Sequence, residues 1–228
     1  MNTAQNHRSP EHPDYHPSEE LIAAYAGGAL DEASALVIAS HLTLCPVCRA
    51  DMALYEAVGG GLMEELPEAA MKEGAFAATL ARAKRSPAAT QSHVPLFTAT
   101  TDPVLPAPLR RYVGGNLDSA KWRVIGPGIY HMPLVSSGPA TARLLRIAPG
   151  RSVFDHTHGG TELTLVLKGS YASQGQRYAR GDIEVADESV NHRPIAGTED
   201  VCICLAVTDA PLRFDSWMGR LMQPFIGI

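Results

Sequence analysis

The chain is short of the features that mark exported, membrane-spanning or nucleic-acid-binding proteins. It has only four cysteines in 228 residues, placed as Cys45-x-x-Cys48 and Cys202-x-Cys204. Such spacings suit metal ligands or buried thiols in a reducing compartment better than a disulfide frame. No apolar run reaches the roughly 18 residues that a membrane helix requires. The opening stretch MNTAQNHRSPEHPDY lacks the apolar core of a signal peptide, so the expected location is the cytoplasm, with no membrane partner. Excess positive charge is missing too: the formal net charge is -5 and the pI is near 6.0. Direct nucleic-acid binding calls for a basic patch against the phosphates and is not expected; a basic protein surface is the better partner. What remains, 45% hydrophobic and 19% charged residues, is ordinary globular composition and excludes wholesale disorder.

The length accommodates two domains, each with its own core. Residues 1–15, polar and punctuated by proline, are expected to form a disordered tail. Residues 16–86 read as an all-α bundle. Ser18 caps a first helix whose first turn carries Glu19 and Glu20, and Gly27-Gly28 stops it. Asp31 caps a second, running to about Leu44, and Pro46 opens a third that ends near Val58, before Gly59-Gly60-Gly61. A fourth spans Glu68 to Lys84. Residues 87–108, with Pro87, Pro95, Pro103, Pro106 and Pro108, read as a Pro-rich linker that lets the domains move somewhat independently. From 109 to 228 the texture changes to short apolar segments, among them Ala142 to Ile147, Leu163 to Leu167, Ile183 to Ala186 and Val201 to Val207. Turn residues separate them, which is the pattern of an all-β antiparallel sandwich or barrel.

Two groups of metal-liking side chains stand out, one in each half. On a helix His41 and Cys45 lie four positions apart on one face, and Cys48 follows within a turn. The start of the third helix favours thiolate there. A structural zinc site takes four nitrogen or sulfur ligands, and His16 can supply the fourth by packing the first helix on this junction; His12 is the nearby competitor. The order His, His, Cys, Cys differs from that of fingers in which cysteines come first. A redox Cys-x-x-Cys with an incidental histidine is the plainer alternative, although no thioredoxin-like strand precedes it.

In the second group, alternation along a strand points His156 and His158 to one side, Glu162 reaches them from beyond Gly159-Gly160, and His192 arrives from a later strand. Three imidazoles and a carboxylate leave positions open on iron, manganese, nickel or zinc, so such a pocket can catalyse, bind or sense. Cys202 and Cys204 face one way on their strand and read as two small apolar residues of a barrel.

The spacing of Gly150, His156-x-His158, Glu162 and Gly169 resembles the first cupin motif, and Gly181 and His192 match two anchors of the second. There Asp187, Ser189 and Ala196 replace the usual proline, glycine and asparagine. His16 followed by HLTLCPVC resembles the zinc anti-sigma family. The combination, with AVGGGLMEE, HGGTELTLVLKGSYA and the closing QPFIGI, resembles ChrR-type zinc anti-sigma factors, in which a zinc anti-sigma domain is fused to a cupin. That resemblance implies a jelly-roll barrel for residues 109–228. It implies one Zn(2+) in each domain, held by His16, His41, Cys45 and Cys48 and by His156, His158, Glu162 and His192. It also implies that residues 16 to about 85 clasp an extracytoplasmic-function sigma factor, and that singlet-oxygen-type oxidative stress sensed through the cupin releases it. The alternative from another class is a cupin metalloenzyme, a dioxygenase or isomerase, with an accessory zinc-binding interaction domain.

Overall fold

The computed structural model describes residues 12–85 and 102–210, apart from 137, 139, 154, 155 and 158, together with the backbone of 213–214. The helices are α1 (Glu19–Ala26), α2 (Glu32–Leu44), α3 (Pro46–Glu64), α4 (Ala75–Arg85) and α5 (Ala107–Val113). Twelve strands follow among the described residues: β1 (Arg123–Gly126), β2 (Ile129–Val135), β3 (Thr141–Ile147), β4 (His156–Thr157), β5 (Glu162–Lys168), β6 (Ser170–Ser173), β7 (Gln176–Ala179), β8 (Ile183–Ala186), β9 (Asn191–His192), β10 (Ile195–Ala196), β11 (Cys202–Thr208) and β12 (Arg213–Phe214). A helical half thus precedes an all-β half, as the patterning predicts.

The helix starts follow from their caps. Ser18 Oγ accepts from the Leu21 N–H at 3.4 Å, and the Asp31 carboxylate accepts from the Ala33 and Ser34 N–H groups at 2.9 and 3.0 Å. Helix α2 is apolar on every side, with Ala33, Leu36, Val37, Ile38 and Leu42 all buried, which is the pattern of a core helix. Cys45 takes an extended conformation, ends α2 and caps α3, with Pro46 as the first residue of α3.

The strands of the main sheet run in the order β1-β2-β3-β11-β5-β8 and are all antiparallel. Its register sets Leu144, Leu205, Leu165 and Ile183 in one row and Arg143, Ala206, Thr164 and Glu184 in the next. Successive residues of a strand face opposite sides, so the sheet has one apolar face and one mixed face. The apolar face joins Ile22, Leu36, Val37, Ile38, Leu105 and Leu109 in a single core, and α2 lies on β3, β5 and β11. The mixed face meets Tyr171 and Ala196 of a three-stranded sheet β10-β6-β7 and closes over Ile129, Ile147, Val166, Cys202 and Cys204. A second three-stranded sheet, β12-β4-β9, carries His156 and His192. Gly169 turns the corner from β5 to β6 at φ +68°, where a Cβ would stand 2.5 Å from the Val201 carbonyl oxygen. Only glycine permits that approach.

Several expectations need correction. Residues 13–15, placed in the disordered tail, are docked on the β7–β8 turn by hydrogen bonds described below; residues 1–11 lie outside the described residues. Helix α3 continues through Gly59-Gly60-Gly61 to Glu64, because glycine ends a helix where the chain turns left-handed and none of these three does. The fourth helix begins at Ala75 rather than Glu68, after Gly74 at φ +75°. The end of the Pro-rich linker is ordered. The Asp102 carboxylate accepts from the Val104, Leu105 and Leu117 N–H groups at 2.7, 3.0 and 2.6 Å, and Pro106 and Pro108 sit at the start of α5, where proline is tolerated. Residues 86–101 lie outside the described residues. Finally, the helical half is not a freely moving module, because α2 shares its core with the outer face of the β-sheet.

Candidate functional site

Four side chains converge where α1, α2 and α3 meet. Capping leaves Cys45 Sγ 3.4 Å from the Cys48 N–H, which donates to it. One helical turn brings Cys48 into reach of His41, whose Nε2 is 3.3 Å from Cys48 Sγ. His16, just before α1, places Nδ1 3.4 Å from both Cys45 Sγ and Cys48 Sγ. All four ligand atoms lie within 4.8 Å of one another, with His41, Cys45 and Cys48 buried and His16 exposed. In tetrahedral zinc coordination, bonds of about 2.3 Å to sulfur and about 2.0 Å to nitrogen put neighbouring N and S atoms about 3.6 Å apart. The cluster is therefore at coordination spacing, and the donor set is one that zinc prefers. His12 takes no part in it.

The electrostatics point the same way. Burial pulls His41 down to about 4, against a partly compensating hydrogen bond to the Gly181 carbonyl and helped by the nearby His16, so the ring is neutral and able to ligate. Burial, with the adjacent Cys45, pushes the Cys48 thiol well above its ordinary range. A pair of thiolates at this spot requires a cation to be stable. The His41 tautomer is set from outside, since Nδ1–H donates to the Gly181 carbonyl at 2.9 Å and leaves Nε2 facing Cys48.

In the β half, His156 of β4 stands opposite His192 of β9 in the register. His192 is buried and its Nδ1 lies 2.9 Å from Ser173 Oγ and 3.5 Å from Glu184 Oε1. Burial disfavours charge on both partners, but pairing prevails and holds Glu184 below and His192 above their ordinary values. The Tyr171 hydroxyl completes this group by donating to Glu184 Oε2 at 2.7 Å. Glu162 opens β5, is buried, and accepts from the Thr164 hydroxyl at 2.9 Å. His158 and the side chain of His156 lie outside the described residues, so the expected quartet is placed only in part. Sequence reading passed over His131, Arg143, Ser173 and Glu184. The alternation IYHMPLV in β2 was a usable signal: it turns His131 inward, where its Nδ1 is buried without a hydrogen-bond partner. Cys202 and Cys204 are buried free thiols whose Sγ atoms are 3.4 Å apart in the inner apolar cluster.

The distal half of α3 and all of α4 are unlike the rest of the described helices. Val47, Leu54, Val58 and Leu62 form one stripe along α3, and each is more than half exposed. Beyond it Leu66 and Met71 (79% exposed) are exposed as well, as is Phe76 (75%) in α4, a helix with no buried residue. Apolar area of this extent on a soluble surface marks an interaction site. No single described helix is long and apolar enough to cross a membrane; α2 and α3 pass that test only as a pair bent by 119°, and α2 is buried in the core.

Comparison with known proteins places these features. A ChrR cupin-like domain model matches residues 111–211, and a zinc-finger model matches residues 18–49. The anti-sigma-E factor ChrR of Cereibacter sphaeroides is 46% identical over 214 residues, covering 94% of this chain and 98% of that protein. The crystal structure of Rhodobacter sphaeroides SigE in complex with the anti-sigma ChrR matches with a TM-score of 0.74 at 43% identity, covering 85% of this chain and 98% of that one.

Proposed function

The chain belongs to the ChrR family of anti-sigma factors, and from that premise we propose that it binds and inhibits an extracytoplasmic-function sigma factor through its zinc-bearing helical half. It acts in the cytoplasm as a regulator rather than an enzyme, and oxidative stress of the singlet-oxygen type, sensed in the cupin half, releases the sigma factor. The observation that carries the reading is the exposed apolar surface of α3 and α4, which continues from the metal cluster on a chain nearly half identical to a sigma-binding protein.

His16, His41, Cys45 and Cys48 are the residues that would hold zinc in the helical half, and the spacing of their ligand atoms supports this. Bound there, zinc supplies a crosslink between the entry to α1 and the α2–α3 junction. The residues do the rest. Cys45 and Pro46 break the chain so that α3 leaves α2 at a steep angle, and His16 ties α1 across the break. The apolar residues of α3 are thereby left exposed along that helix. In the cupin half, His192 and Glu162 together with His156 and His158 would hold a second metal, with zinc as the proposed ion; Ser173 and Glu184 hold His192 at Nδ1 and so orient its ring.

The test is transcription by RNA polymerase loaded with an extracytoplasmic-function sigma factor that co-purifies with the full chain from its native host. The full chain should inhibit it stoichiometrically. The double substitution Leu54→Asp with Val58→Asp should reduce inhibition by about 100-fold or more, since two central apolar anchors are each worth roughly 2 kcal/mol, while zinc content and melting temperature stay unchanged. Undiminished inhibition by that variant would overturn the proposed surface.

A further inference from the structure

The helical metal cluster is not built by the helical half alone. The β7–β8 turn of the cupin half, at Gly181 and Asp182, bonds one of its four members, His41, and the two residues that precede another, His16. Gly181 gives its carbonyl to His41 Nδ1–H at 2.9 Å. Asp182, 2% exposed, accepts from the N–H groups of Asp14 at 2.7 Å and Tyr15 at 3.2 Å with one oxygen, and from Ala179 at 2.7 Å with the other. The next residue of β8 closes the arrangement, as the Ile183 N–H donates to the Tyr15 carbonyl at 3.1 Å. Tyr15 is gripped by its side chain as well. Its ring packs 4.6 Å from that of Tyr178, and its hydroxyl donates to Gln176 Oε1 at 2.6 Å. The residue that follows is His16.

The turn is shaped for this task. Gly181 has φ +91°, and a Cβ there would meet Pro13 Cγ at 2.8 Å, so the incoming segment lies directly on the glycine. Two positions past Asp182 stands Glu184, which pairs with His192 and receives the Tyr171 hydroxyl. Tyr171 in turn stacks on Tyr178 at 5.1 Å, the ring against which Tyr15 packs. A continuous line of contacts thus joins the cupin histidine to the residue beside His16.

We propose that Asp182 and Gly181 are positioning residues for the helical metal site: the cupin turn fixes the orientation of His41 and the place of His16, and so sets how tightly the metal is kept. The inference rests on the metal reading of the cluster above. It predicts that a rearrangement of the cupin interior which shifts β8 loosens the metal site some distance away, with no need for the signal to reach the cysteines themselves.

The test uses the full chain loaded with Co(2+) alone, whose thiolate charge-transfer absorption reports on Cys45 and Cys48. Release into excess chelator is timed for the wild type, Asp182→Ala and Tyr15→Ala. Loss of a group that orients a ligand costs at least about tenfold in metal retention, so both variants should lose the absorption about tenfold faster or more. Should Asp182→Ala fail to fold, Tyr15→Ala decides, since it removes the ring and hydroxyl contacts that hold the same segment on the cupin half and leaves the buried carboxylate in place. Release at the wild-type rate from the folded variants would overturn the clamp. Absence of the absorption in the wild type would instead overturn the metal reading on which it rests.

Discussion

A histidine serves a metal well only when its other ring nitrogen is held, and this chain holds two of them in the same way, with Nδ1 on a fixed partner. For His41 the partner is the Gly181 carbonyl; for His192 it is Ser173 and Glu184. Buried carboxylates elsewhere act on backbone instead. Burial alone would raise the pKa of Asp102, but the Leu117, Val104 and Leu105 N–H groups together outweigh it and hold the group below its ordinary 3.8. A depressed carboxylate stabilises the fold above its unfolded pKa, and that contribution is lost as pH falls through the folded one. Asp102→Asn should therefore cost about 1 kcal/mol near neutral pH and progressively less below about pH 4. Urea unfolding of both proteins at two pH values measures the gap, and a gap independent of pH would show that the charge is not what holds this turn. At this scale the sequence was informative where chemistry is local: Ser18, Asp31, Cys45 and Pro46 take the capping and helix-start places that their types predict. It marked Gly181 as a motif anchor but was silent on the partners of Gly181 and Asp182, which lie more than a hundred residues away.

Among the elements, α3 departs furthest from expectation and carries the most consequence. Its three consecutive glycines lie within the helix, and a Cβ on Gly60 would meet nothing within 4 Å. Gly60 is on the side of the helix away from Leu54 and Val58. Gly60→Ala should thus favour the helix by up to about 1 kcal/mol, raise far-UV helicity, and leave sigma-factor affinity within about twofold. Reduced helicity would contradict a helix that runs unbroken to Glu64. The misreading has a physical origin, because a glycine triplet signals a stop only if the chain needs positive φ there, and pattern alone cannot tell. The opposite error occurred at residues 102–108. Prolines that look like linker become a helix start once Asp102 gathers three N–H groups around it. The strands were more legible, since Ile183–Ala186 was expected as found and the ends of the other three named segments fall within one residue of β3, β5 and β11.

In the whole molecule, the division into an α half and a β half was readable from texture, but the way they join was not. Helix α2 is apolar on all sides because it has two neighbours to cover, its own bundle and the outer face of the six-stranded sheet. That packing makes the β half a support for the helices that carry the metal cluster, and it leaves the apolar residues of α3 and α4 exposed. The central claim is that metal at His16, His41, Cys45 and Cys48 is what keeps the sigma-binding surface in shape. Its most direct test is to form the complex of the full chain with its extracytoplasmic-function sigma factor, strip zinc with a high-affinity chelator while measuring metal content, and follow the complex by size-exclusion chromatography. The complex should dissociate as zinc leaves and form again when zinc is restored. A complex that survives complete removal of zinc would contradict the account.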